Sequence, residues 1–178
     1  MPENPWHALF MDKGITRFQD ACRYVSQLKY GRISDVHQPA LVLHEQRGTC
    51  SSKHQLLALL ATGYPDIQLM VGIYLMQENN TPGVGNVLSA HGLAEIPEAH
   101  CYLEYYNEVF DFTMPHKQLE FQSTLQLSKV IENPLTLLQY KTAFHKAYLH
   151  EWIQSRQIPF TADVTWQIRE KCIAALSM

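Results

Sequence analysis

The apolar positions of the chain fall into runs of different period. From Ile15 to Leu28 the residues Ile15, Phe18, Ala21, Cys22, Val25 and Leu28 recur at helical spacing. Cys22 belongs to that stripe as a small core residue, and Gly31 in Tyr30-Gly31-Arg32 reads as the C-cap. Ser34 to Ala40 is a loop, and Leu41-Val42-Leu43 a short buried turn. A helix starting at Cys50 has apolar residues nearly all round, which marks burial on several sides. It stops near Thr62-Gly63-Tyr64-Pro65. Ile67 to Met76, mostly apolar, reads as a buried strand, with Gly72 marking a bulge or a close backbone approach. Gln77 to Glu98 reads as a long loop. Ala99 to Glu104 and Glu108 to Thr113 alternate as a strand pair. From Pro134 the period is helical again. Leu137, Tyr140, Phe144, Tyr148 and Trp152 share one side of a long helix, and Val164, Ile168, Cys172 and Leu176 mark a last helix after Pro159. Residues 1–13 read as an irregular lead-in. No repeat and no domain boundary is visible, so one domain is expected over 1–178, with a core at about 15–115 and a helical cover at about 134–178.

Composition narrows the classes. The chain has 178 residues, 46% hydrophobic and 17% charged, with net charge −3. That is enough for a sizeable core and lacks the basic footprint of a nucleic-acid binder. No run reaches the length of a membrane-spanning helix, and no basic-then-apolar leader opens the chain. The four cysteines, at 22, 50, 101 and 172, are far apart. They fit free thiols and a cytoplasmic location better than a disulfide framework. There are nine histidines, but His44, His54, His91, His100 and His116 show no ligand spacing. No metal or cofactor is expected. His145 and His150 are five apart on a helix and are read as surface residues.

One polar stretch changes the picture. In Arg47-Gly48-Thr49-Cys50-Ser51-Ser52-Lys53-His54 a sharp turn leads into the buried helix. Thr49 is the expected N-cap, which places Cys50 in the first turn, among unpaired N–H groups and the positive end of the dipole. That setting favours the thiolate, the nucleophilic form. Gly48 leaves room beside the sulfur or allows a tight turn, and Arg47 adds positive potential.

A nucleophilic cysteine needs a base, and the base needs an orienting group. Strand alternation puts His100, Tyr102, Val109 and Asp111 on one face, and Cys101, Leu103, Phe110 and Phe112 on the core face. A four-residue turn Glu104-Tyr105-Tyr106-Asn107 places His100 opposite Asp111, about 5 Å apart at Cβ. A two-residue turn Asn107-Glu108 separates them by roughly 13 Å. The first register is the one expected. Glu98, close before His100, is read as a loop carboxylate or as a group that tunes the charge of His100.

With Arg47-Gly48-Thr49-Cys50, Leu69 to Tyr74, Ala99 to Glu104 and Val109 to Thr113 in view, the sequence resembles the transglutaminase-like superfamily of the papain-like cysteine-enzyme fold, over roughly residues 15–115. The resemblance implies an α+β fold: a buried helix headed by the cysteine, packed on an antiparallel sheet, here with extra C-terminal helices. It implies a triad of Cys50 as nucleophile, His100 as base and acid, and Asp111 as orienting group. Oxyanion donors would be the Cys50 N–H and the Gln46 side chain. The expected function is acyl transfer or amide hydrolysis on a peptide, protein or small amide or acyl substrate. Two alternatives stay open, a non-catalytic binding module and an N-acetyltransferase-like acyltransferase. Oligomeric state is open.

Overall fold

The structure, a computed structural model, describes residues 4–115 and 120–176. His116 lies outside them. The lead-in is a helix, α1 (Pro5–Met11), whose N-cap Asn4 accepts from the Trp6 N–H and whose first residue is proline, an arrangement that supplies one orphan acceptor and a pre-set φ. Helix α2 (Phe18–Gln27) buries Ala21, Cys22 and Val25. It ends before Tyr30-Gly31-Arg32: Leu28 turns extended, and strand β1 (Lys29–Tyr30) pairs in parallel with β2 (Arg47–Gly48). Gly31 is therefore no C-cap; its N–H continues the ladder to Gly48 O at 3.3 Å. Between these strands, Leu41–His44 form the short helix α3.

Helix α4 (Cys50–Leu60) starts at the expected residue, with Thr49 as N-cap and a capping box to Ser52, whose hydroxyl accepts from the Thr49 N–H at 3.0 Å. Ten of its eleven residues are buried, including Ser51, Ser52, Lys53, His54 and Gln55.

Strand β3 (Ile67–Met76) has the bounds that its apolar run predicts. The stretch 77–98 is not one loop. It contains helix α5 (Gly85–Ala90) and the start of β4 (Ile96–Tyr105). The Glu78 carboxylate accepts from the N–H groups of Gly83 and Gly85, and buried Asn80 accepts from Gln77 N and donates to Leu75 O. These side-chain bonds give a Gly- and Asn-rich run a fixed turn. Strand β5 (Glu108–Phe110) pairs with β4, and β6 (Leu125–Val130) completes a four-stranded antiparallel sheet in the order β5-β4-β3-β6. Helix α6 (Leu137–Ser155) and helix α7 (Ala162–Ala175) end the chain as the C-terminal periods predict. The molecule is α+β.

The β4–β5 register corrects an expectation. Leu103 pairs with Phe110, Glu104 with Val109 and Tyr105 with Glu108, so the turn is Tyr106-Asn107. Both residues have positive φ, 48° and 63°, the signature of the two-residue hairpin whose twist matches that of its strands. Pairing stops at Phe110, and Asp111 lies beyond the ladder. Continued in the same register, its opposite would be Tyr102 and not His100.

The chain forms two compact units: Met1–Val71, Cys101–Leu119 and Lys129–Leu138 in one, and Gly72–His100, Glu120–Ser128 and Gln139–Met178 in the other. Strands β3 and β4 each run from one unit into the other. In the first unit α4 packs on β4, where Cys101 Sγ donates to Ser51 Oγ at 3.6 Å, and Gln55 donates to Pro134 O.

In the second unit, Glu98 is buried in β4 and forms a two-point ion pair with Arg169 of α7. It is not a loop carboxylate. His145 is 1% exposed and is not on the surface; its Nε2 meets Pro97 O at 2.8 Å and its ring packs against Trp166. Among the described residues, no helix is long and apolar enough to cross a membrane.

Candidate functional site

Cys50 is the first residue of α4 and only 7% exposed. Its Sγ lies 3.9 Å from Ser51 Oγ, the hydroxyl that also meets Cys101. Cys101 is fully buried, as its place on the core face predicts.

Two further polar residues belong to the opening turns of α4. The first is Lys53, which has no exposed surface. Its ammonium donates to Leu28 O at 2.6 Å and Thr113 O at 2.7 Å. Burial disfavours the charged form and brings its pKa down to about 8, while the negative potentials of Asp111 and Cys50 push it back up. Its stem fills the space over Gly48, where a Cβ would sit 2.8 Å from Lys53 Cγ and 3.0 Å from Ser52 Oγ. Gly48 is thus required by the lysine stem, and the room it provides is taken by Lys53.

The second is His54. Its Nε2 accepts from the Phe112 N–H at 2.8 Å, so the ring hydrogen is on Nδ1, which donates to Cys50 O at 2.8 Å. With both nitrogens engaged by backbone, the ring works as a staple. It ties the first turn of α4 to the segment after β5. Asp111 is in that segment, with Oδ1 accepting from the N–H and hydroxyl of Thr113 and lying 3.7 Å from His54 Nε2. The sequence signal for both residues is their spacing: a lysine and a histidine three and four places after Cys50 share its helix face, on a helix expected to be buried on several sides.

Gln46, the other expected oxyanion donor, is exposed and left-handed at φ 54°. Its amide donates to Leu43 O, and its carbonyl accepts from the Tyr24 hydroxyl at 3.0 Å. His100 belongs to the second unit and is buried. Its ring lies 4.7 Å from Phe121 and meets Tyr74 edge-on at 6.1 Å. Tyr74 in turn is hydrogen-bonded to Thr81, and Thr81 to Asn80. Of the expected triad, Cys50 and Asp111 are therefore in the first unit, where both act on Lys53, and His100 is in the second. Among the described residues no group of three His, Cys, Asp or Glu side chains is arranged to hold a metal ion.

Compared with known protein families, with curated proteins and with solved structures, the chain gives no match. Fold and site define a class by themselves: an α+β protein whose interior helix begins at a cysteine and buries a lysine one turn later.

Proposed function

We propose that this protein is a cysteine-dependent acyl transferase or amide hydrolase of the transglutaminase-like, papain-like kind, with Cys50 as nucleophile. The observation that carries the reading is the buried Lys53 ammonium, held by two carbonyls one turn from Cys50 and within the field of Asp111. Burying an ammonium is costly, and strongly perturbed groups gather at working sites. Together with the helix end, this cation favours the Cys50 thiolate.

In the proposed reaction the thiolate attacks an acyl carbonyl carbon. A C–S bond forms and the carbonyl pair moves to oxygen, where the Cys50 N–H at the helix start stabilises it. The pair returns, the C–N bond breaks, and the leaving amine takes the proton that the base had received from the Cys50 thiol. Water or an amine then attacks the thioester, gives its proton to the base, and the thiolate departs. The base in this proposal is His100, assigned by the resemblance; Asp111 is not assigned to orient it, because the β4–β5 register does not set the two opposite each other. His54 is not a candidate, because its Nε2 lone pair is already engaged by the Phe112 N–H.

The test is labelling with iodoacetamide as a function of pH. Cys50 is expected to react at near-neutral pH, ahead of Cys22 and Cys172, whose thiols burial pushes up to about 12 and about 11. Lys53→Met should move the Cys50 profile to higher pH, and His100→Ala should remove its near-neutral limb. Preferential labelling at Cys22, Cys101 or Cys172 in the native protein would exclude the assignment. A second reading, a binding module with an idle triad, is favoured by the 7% exposure of Cys50; it predicts an ordinary thiol, slow to react until the protein unfolds.

A further inference from the structure

Two free cysteines of the first unit share one hydroxyl group. Cys50 opens α4, and Cys101 lies in the middle of β4 on the face that packs against that helix. Ser51 Oγ stands 3.9 Å from Cys50 Sγ and 3.6 Å from Cys101 Sγ. A single oxygen therefore lies against two thiols that are far apart in the chain. Alone, a buried cysteine on a strand is a small packing residue. Beside a thiol at a helix start, Cys101 has a reaction partner.

The two sulfurs differ in access and in freedom. Cys50 keeps 7% of its surface and Cys101 none. A small oxidant meets Cys50 first, and the thiolate that a helix start favours is the form that peroxides oxidise. Cys101 needs no access of its own, because its target is the oxidised sulfur beside it. Movement is available on the same side. Within a helix the preceding turn restricts a side chain's rotamers, and the first residue of α4 has no preceding turn. Rotation of Cys50 past the Ser51 hydroxyl is the motion that brings the sulfurs to the roughly 2 Å of a disulfide.

We propose that hydrogen peroxide joins Cys50 and Cys101 in a reversible disulfide that switches the Cys50 site off. The inference rests on the Cys50 thiolate proposed above and adds a regulation of that same site. In the first step the thiolate attacks a peroxide oxygen. An S–O bond forms, the O–O bond breaks, and the departing hydroxide takes a proton from solvent, leaving a sulfenic acid on Cys50. In the second step Cys101 sulfur attacks Cys50 sulfur. The S–S bond forms, the S–O bond breaks, and the hydroxide leaves as water with the proton of Cys101. That proton is already directed at Ser51 Oγ, which accepts it and passes on its own. The thiol pair is oxidised and the peroxide is reduced to water.

The test treats the native full chain with equimolar hydrogen peroxide at near-neutral pH, removes the excess with catalase, blocks remaining thiols and maps the unreduced digest by mass spectrometry. A peptide joining Cys50 to Cys101 within one chain is expected. Iodoacetamide labelling of Cys50 should fall by about tenfold or more, since a disulfide sulfur is no nucleophile, and dithiothreitol should restore it. Cys101→Ser should label at Cys50 as the wild type does before oxidation, and after peroxide should stop at a sulfenic acid that dimedone traps. Cys101→Ala gives the same readings without a hydroxyl in the core. Linkage of Cys50 to Cys22, to Cys172 or to a second chain overturns the proposal, as does dithiothreitol-reversible protection of Cys50 that persists in both variants. If Cys50 labels in the reduced protein yet forms no bond to Cys101, the switch is overturned and the acyl-transfer reading stands. If Cys50 fails to label in the reduced protein, both fall.

Discussion

Lys53 is the residue on which the most chemistry converges, and its effect on stability can be separated from its effect on Cys50. Its ammonium titrates at about 8 in the folded chain against an ordinary 10.5. Between those values the unfolded chain binds more protons than the folded one, so stability rises with pH across that window. The full change is about 3 kcal/mol. Urea unfolding between pH 8 and 10 is expected to show this rise in the wild type and a flatter line in Lys53→Met. Parallel lines would mean that the ammonium is not buried in solution. The apolar variant is expected to be no less stable at pH 7, because a buried charge replaced by an apolar group of similar size often costs nothing. The Cys50 labelling profile then reports the functional role without interference from unfolding. Gly48 depends on the same side chain. Gly48→Ala puts a methyl 2.8 Å from the Lys53 stem and should cost about 1–3 kcal/mol in the same unfolding measurement. A neutral result would show that the stem moves aside freely.

At the scale of elements, the hairpin turn gives the clearest test. Tyr106 and Asn107 both adopt positive φ, which suits asparagine and strains a ring-bearing residue. Asn107→Gly should stabilise by about 0.5 kcal/mol and leave the register intact. A large loss would mean that the Asn107 side chain does more than turn the chain. The same turn shows what the sequence could reveal. The four-residue turn is the expected one because only that register pairs His100 with Asp111, and Tyr-Asn carries no glycine to announce the tight turn that forms instead. By contrast, β3 emerged with its observed bounds because a run that is apolar but for Gln68 and Gly72 reads as a buried strand. Strand β6 was not foreseen: it is largely exposed, with only Leu125 and Ser128 half-buried, so no alternation marks it. Cys50 was legible because helix-start signals are local. The partners of Lys53, His54 and His145 were not, because each is a distant backbone carbonyl or N–H, and one-dimensional spacing carries no trace of such a partner.

For the whole molecule, acid is the condition expected to act unevenly on the two units. In the second unit burial pushes the Glu98 carboxyl up, but the charge and hydrogen bonds of Arg169 outweigh that and hold it below the usual carboxylate range. A folded pKa below the unfolded one means stability that is complete above about 4.5 and lost as pH falls through the folded value. His145 works in the same direction: burial lowers its pKa, against the opposing pull of Glu98 and the Pro97 carbonyl. The unfolded chain therefore takes up that proton first, and stability drains below about 6.5. In the first unit the contribution of Lys53 is constant below pH 8, since folded and unfolded chains are then both protonated there. Hydrogen exchange followed from pH 7 to pH 4 should show α7 and the second half of α6 losing protection at higher pH than α4. Glu98→Gln leaves Arg169 buried without its counter-charge, which should cost about 3–5 kcal/mol at pH 7. It should also flatten the acid response of α7, since the carboxylate that would be protonated is gone. If α4 and α7 lose protection at the same pH, or if Glu98→Gln keeps the wild-type acid slope, the ion pair is not what makes the second unit sensitive to acid.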